Sequence, residues 1–173
     1  IGSKIVNDVF GSIPENERER IIVHAFDTNI NDISNLKNLD KNDVTQTSAD
    51  RNVSQYLRGR DEEILKQWFP HEKKILLDKT LTDGAGQIRA VSRLAFRAAL
   101  EDNKLENLER KIDRLFRIDG DTNTSSIRVM VVNSIGGGTG AGIFLQVAMY
   151  IRDYIENRKN KKVLIKGSFV LPD

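Results

Sequence analysis

Gly136-Gly137-Gly138-Thr139-Gly140-Ala141-Gly142 is the stretch on which the reading of this chain turns. Just before it, Ile127-Arg128-Val129-Met130-Val131-Val132-Asn133 is short, β-branched and nearly all apolar, the pattern of a strand buried on both faces. Just after it, residues 143–155 carry apolar side chains at helical spacing. The glycines therefore sit on a strand-to-helix turn. Small residues leave the backbone amides uncovered, so a polyanion can lie directly on them. The free N–H groups and the positive end of the following helix would hold its charge, and the Thr139 hydroxyl adds a donor. A flexible glycine linker is the alternative, but linkers rarely sit between a buried-type strand and an amphipathic helix. Gly136, Gly138 and Ala141 also fit a relaxed dinucleotide spacing. That fold wants an acid at the end of the next strand, and the first one here is Asp173, which is late. No Gly-Lys dipeptide occurs, which excludes a Walker-type loop.

The chain has 173 residues, enough for one domain with a sizeable core. With 27 basic and 25 acidic residues its net charge is +2, which gives no argument for a nucleic-acid or membrane partner. Cysteine is absent, so disulfides and thiolate metal sites are excluded and nothing points to secretion. No apolar run is long enough to cross a membrane.

Further along, Ile21-Ile22-Val23-His24-Ala25-Phe26 reads as a second buried-type strand ending in the polar Asp27-Thr28-Asn29. Ligands gather at the carboxyl ends of strands in parallel α/β sheets, so these three are site candidates; a turn capped by Asp is the plainer reading. His24 reads as a satisfied core or interface histidine. Residues 31–60 are a polar connection with short pieces of structure. A helix near 61–69 stops at Pro70, with Trp68 and Phe69 in the core. Gly84-Ala85-Gly86 opens a helix whose apolar face is Ile88, Val91, Leu94, Ala95 and Ala98. Gln87 and Arg89 fall in its first turn. A cation there does not help the helix, which makes Arg89 a candidate phosphate ligand; the alternative is a solvated stripe of Arg89, Arg93 and Arg97. Leu105, Leu108, Ile112 and Leu115 mark another amphipathic helix, and residues 163–171 form the last strand. Asp119, Asp121 and Asn123 alternate like a calcium loop, but Thr124 and Met130 stand where such a loop needs Gly and Glu.

The glycine stretch resembles the phosphate-loop signature of the tubulin/FtsZ superfamily of GTP-binding, filament-forming proteins. The resemblance covers most of the chain, apart from an insert at about residues 35–80. It implies an α/β fold: a three-layer Rossmann-like parallel sheet with helices on both faces. It implies GTP or GDP as ligand, with Mg²⁺, cradled by Gly136, Gly137, Gly138, Thr139 and Gly140. Val6-Asn7 resembles a helix pair of the family, which would make Gly2 and Ser3 the end of a first phosphate loop. Lys4 then stands where the family often has an Asn near the base. Asp27-Thr28-Asn29 resembles the family's Asn-Thr-Asp, and Gly84-Ala85-Gly86 with Gln87 and Arg89 its γ-phosphate-sensing loop. By the same resemblance the chain is part of a cytoplasmic protein that stacks into filaments, with its first strand and its polymerising half outside residues 1–173. Hydrolysis would need a second subunit's catalytic loop. A non-polymerising regulatory GTP-binding module and a dinucleotide-binding enzyme fragment are the other readings.

Overall fold

The computed structural model describes residues 8, 11–35, 39–58, 60, 67–70, 73–82, 88–118 and 126–171. The elements run α1 (Glu15–Arg18), β1 (Ala25–Asp27), α2 (Ile30–Ser34), a 3₁₀ turn at Lys41–Asp43, β2 (Val44–Gln46), α3 (Val53–Leu57), α4 (Lys74–Leu77), α5 (Arg89–Glu101), α6 (Glu106–Leu115), β3 (Ser126–Ser134), α7 (Thr139–Asp153) and β4 (Lys162–Val170). The class is α/β with parallel strands. Among the described residues there are two sheets of two strands each: β1 pairs with β2, and β3 pairs with β4 from Ser126↔Lys162 to Ser134↔Val170.

The unit around the glycine loop is β3–α7–β4, a parallel crossover. Ile143, Val147 and Ile151 form the buried stripe of α7, and Ile127, Val129, Val163 and Ile165 pack against that cluster from the sheet. The last turn of α7 widens into a π turn over Tyr154–Arg158. Tyr154 of this turn and Tyr150 of α7 donate hydrogen bonds to Asp113 and Glu109 of α6, respectively. Asn160, with φ of 52°, turns the chain into β4.

The sequence predicts β3 buried on both faces; the structure shows one face only. Burial alternates along it, and Met130, Val132 and Leu164 of the sheet's outer face are 59%, 42% and 51% exposed. No described element packs there. The first strand is also shorter than its apolar run: β1 pairs only over Ala25–Asp27, because its partner β2 has three residues.

The insert makes a second cluster. Val53, Tyr56, Phe69, Leu76 and Leu81 pack on Val91, Leu94, Ala95 and Ala98 of α5. The arginines of α5 are not a solvated stripe. Arg93 lies over the Trp68 ring at 4.2 Å, Arg97 pairs with Glu101 at 3.5 Å, and Arg89 reaches the Ile135 carbonyl. Phe69 is buried and Trp68 packs beside it, as the sequence predicts. No described helix is long and apolar enough to cross a membrane.

Candidate functional site

The carboxyl ends of β1 and β3 meet at the glycine loop. β3 ends at Ser134, the loop runs through Ile135–Gly138, and α7 opens at Thr139. Two contacts fix the loop's entry: the Ile135 amide donates to Val170 O at 3.1 Å, and the Gly136 amide to Ser134 Oγ at 3.2 Å. The ladder of α7 starts with the Gly142 amide on the Gly138 carbonyl at 3.0 Å, and Gly138 brings no side-chain cap. The first amides of the helix are thus left without an intrahelical acceptor. A Cβ built on Gly137 would meet nothing within 4 Å, so the space over this backbone is open.

Gly140 and Gly142 also serve packing. A Cβ on Gly140 would lie 2.9 Å from Asn133 Cβ, and one on Gly142 would lie 2.7 Å from Arg89 O and 2.8 Å from Ser92 Cβ. Gly140 seats α7 on the end of β3, and Gly142 lets α5 cross α7 closely. Glycine is required at both because any side chain would push these backbones apart.

Thr139 links the loop to β1. Its hydroxyl lies 3.1 Å from Thr28 Oγ1 and donates to Asp27 Oδ1 at 3.4 Å. Asp27 Oδ1 also accepts from the Asn29 amide at 3.1 Å, an Asx turn that closes the strand end. Thr28 is buried. The Asn29 side chain caps α2 by accepting from the Asn31 amide at 3.0 Å, so it serves the turn. Of the sequence candidates, Asp27, Thr28, Thr139 and Gly140 come together. Arg89 approaches through the loop itself, donating from Nη2 to Ile135 O at 2.6 Å; it ties the start of α5 to the glycine loop. Gly2, Ser3, Lys4, Gly84, Ala85, Gly86 and Gln87 lie outside the described residues.

Sequence reasoning missed three supports. Ser134 holds the Gly136 amide, Asn133 forms the seat for Gly140, and Gln46 Nε2 donates to the Thr28 carbonyl at 3.5 Å. Ser134 and Asn133 were readable from their place at the strand end. Gln46 had no signal, because only the β1–β2 register brings it to Thr28.

A groove of about 1000 Å³ runs from this site between residues 20–27 and β3. Ile112, Ile143, Val147 and Ile151 contribute apolar lining, and Asn133 and Gly140 stand at the end nearest the loop. His24 lines it too. Its Nε2 shares a 2.8 Å hydrogen bond with Thr45 Oγ1, while Nδ1 is buried with no partner among the described residues. Burial holds this imidazole down to about 4, helped by the nearby charge of Lys111.

A family model described as tubulin-like matches residues 2–173. The chain belongs to the tubulin-like family. No curated protein and no solved structure matches it. In this tubulin-like chain the glycine loop, the crossover β3–α7–β4 and the strand-end residues of β1 share one corner of the molecule. Nothing among the described residues gathers three acids or histidines around a metal.

Proposed function

We propose that this chain is the nucleotide-binding part of a GTP-binding protein that assembles head to tail into filaments, with GTPase activity arising on assembly. The observation that carries the reading is the glycine loop: uncapped amides at the start of α7, open space over Gly137, and Thr139 held toward Asp27 and Thr28. A polyphosphate fits there, because its oxygens accept from the amides without displacing a side chain, and from the Thr139 hydroxyl when its proton turns from Asp27 Oδ1 to the phosphate. When bound, the nucleotide supplies the anhydride bond to be cleaved and the terminal phosphate whose presence distinguishes two states. This chain's residues do the holding. Gly136–Gly140 cradle the phosphates, and Asp27 and Thr28 brace Thr139. Arg89 fixes the loop by its Ile135 contact.

Among the described residues Asp27 is the carboxylate at this corner available to Mg²⁺, so most of that ion's ligands would be phosphate oxygens and water, as is usual for it. No residue of this chain is assigned to bond cleavage; on this reading the acids that position water come from a neighbouring subunit. Gly2, Ser3, Lys4, Asn29, Gly84, Ala85, Gly86 and Gln87 are proposed contributors by resemblance, and the location proposed is cytoplasmic. Calorimetry on the intact protein with GTP, ATP and NAD tests the reading. Tight GTP binding that strengthens with Mg²⁺ is expected. Tight NAD binding without a response to GTP would overturn it.

A further inference from the structure

Asp27 stands beside the glycine loop with a charge that no described residue balances. Its Oδ1 is within reach of three donors: the Asn29 amide at 3.1 Å, the Thr139 hydroxyl at 3.4 Å and the Thr28 hydroxyl at 3.5 Å. Oδ2 takes no hydrogen bond from a described residue, and no described lysine or arginine pairs with this carboxylate. Arg89 donates to the Ile135 carbonyl instead. Residues 133–142 carry no charged side chain. The loop therefore offers a polyanion its amides, one hydroxyl and the partial positive charge of a helix start, roughly half an elementary charge. Against these stands a full carboxylate.

The arrangement sets two anions against one hydroxyl. A phosphate oxygen bound to Thr139 takes the proton that Thr139 gives to Asp27. Asp27 then keeps the Asn29 amide and the Thr28 hydroxyl, and a polyanion lies on the far side of Thr139. Charges this close are well inside the screening length of about 8 Å at physiological ionic strength, so dissolved salt does not relieve their repulsion.

We infer that Asp27 makes this site selective for a nucleotide bound together with a divalent cation: its carboxylate disfavours the metal-free polyphosphate and holds the metal-bound one through Oδ2. This role for Asp27 rests on the nucleotide reading above and adds the residue that couples the two ligands. One carboxylate oxygen, phosphate oxygens and water make a hard ligand set, which suits Mg²⁺. A single carboxylate does not retain that ion alone, and among the described residues nothing gathers three acids or histidines to help. Each ligand therefore supports the other. By linkage, the metal raises nucleotide affinity by the same factor as the nucleotide raises metal affinity.

The test is calorimetry on the intact protein with GTP in Mg²⁺, with GTP in EDTA, and with Mg²⁺ alone, for the parent and for Asp27→Asn. Asparagine keeps an oxygen for the Asn29 amide and the Thr139 hydroxyl and removes the charge. A melting curve without ligand shows whether the variant is folded; if it is not, Asp27→Ser, which also keeps a turn-forming oxygen, takes its place. For the parent, GTP in EDTA is expected to bind at least roughly tenfold more weakly than in Mg²⁺, and Mg²⁺ alone gives no binding heat. For Asp27→Asn, binding in EDTA should be several-fold tighter than the parent's, and the gain from Mg²⁺ should shrink to a few-fold. Equal affinity of the parent in both media overturns the inference. So does a variant that weakens GTP equally in both, which would make Asp27 a support for the turn alone. If GTP binds the parent in neither medium, the nucleotide reading itself is overturned, and the role of Asp27 with it.

Discussion

Thr28 Oγ1 and Thr139 Oγ1 lie 3.1 Å apart, 111 positions apart in the chain. This contact joins the end of β1 to the first residue of α7, and Asp27 Oδ1 sits beside it at 3.4 Å from Thr139. It aligns the hydroxyl at the start of α7 with the turn that closes the neighbouring strand. Thr139→Val keeps the size and removes the hydroxyl. GTP affinity should fall roughly tenfold, about 1.4 kcal/mol, while Thr139→Ser stays within a few-fold of the parent. Calorimetry on the intact protein decides; unchanged binding by Thr139→Val would remove Thr139 from the site.

The glycines separate binding from packing. Gly137→Val meets no atom within 4 Å, so thermal stability should hold while GTP affinity falls by roughly tenfold or more. Gly140→Val pushes against Asn133 Cβ at 2.9 Å, so it should lose both. Melting temperature and affinity measured on the two variants give the contrast.

Gly142 lies under α5, where a Cβ would come within 2.7 Å of the Arg89 carbonyl. Gly142→Ala should destabilise the protein by about 1–3 kcal/mol through forced separation of α5 and α7. Urea unfolding measures this directly. A gain in stability, as for alanine on an ordinary helix, would mean that the crossing is looser than described.

Arg89 distinguishes two roles. If it serves by holding Ile135 O at 2.6 Å, Arg89→Ala loosens the loop and weakens GDP and GTP alike, by several-fold. That parallel loss is expected. A loss confined to GTP would make Arg89 a reader of the terminal phosphate.

His24 makes stability depend on pH. Its folded pKa is depressed from 6.5 to about 4 by burial, with Lys111 adding to the effect. The unfolded chain therefore binds a proton between these values and the folded chain does not. Stability from this group is full above pH 6.5 and declines as pH falls toward 4, by up to about 3 kcal/mol. His24→Gln should flatten that part of the curve. Denaturant titrations of both proteins at pH 4.5, 5.5, 6.5 and 7.5 show whether it does.

The strand before the glycines and the amphipathic helix after them were legible in the sequence, because each is written in local periodicity and turn chemistry; the helix expected before Pro70 lies mostly outside the described residues. The glycine turn was legible for the same reason: small residues between a strand and a helix are contiguous in the chain. Periodicity also marked the buried face of α5, from Val91 to Ala98. Other features depended on contacts between distant segments. The sequence placed Gly140 in a phosphate loop; that a Cβ there would also lie 2.9 Å from Asn133 Cβ became visible only in the fold. Arg89 carried a charge whose partner was unreadable until α5 lay beside Ile135. Asn29 stood out as a strand-end site candidate, and only the fold shows that its side chain caps the five-residue helix that follows. The apolar run of β3 announced two covered faces, and the fold supplies one, because burial belongs to the neighbours a strand finds and not to the strand alone.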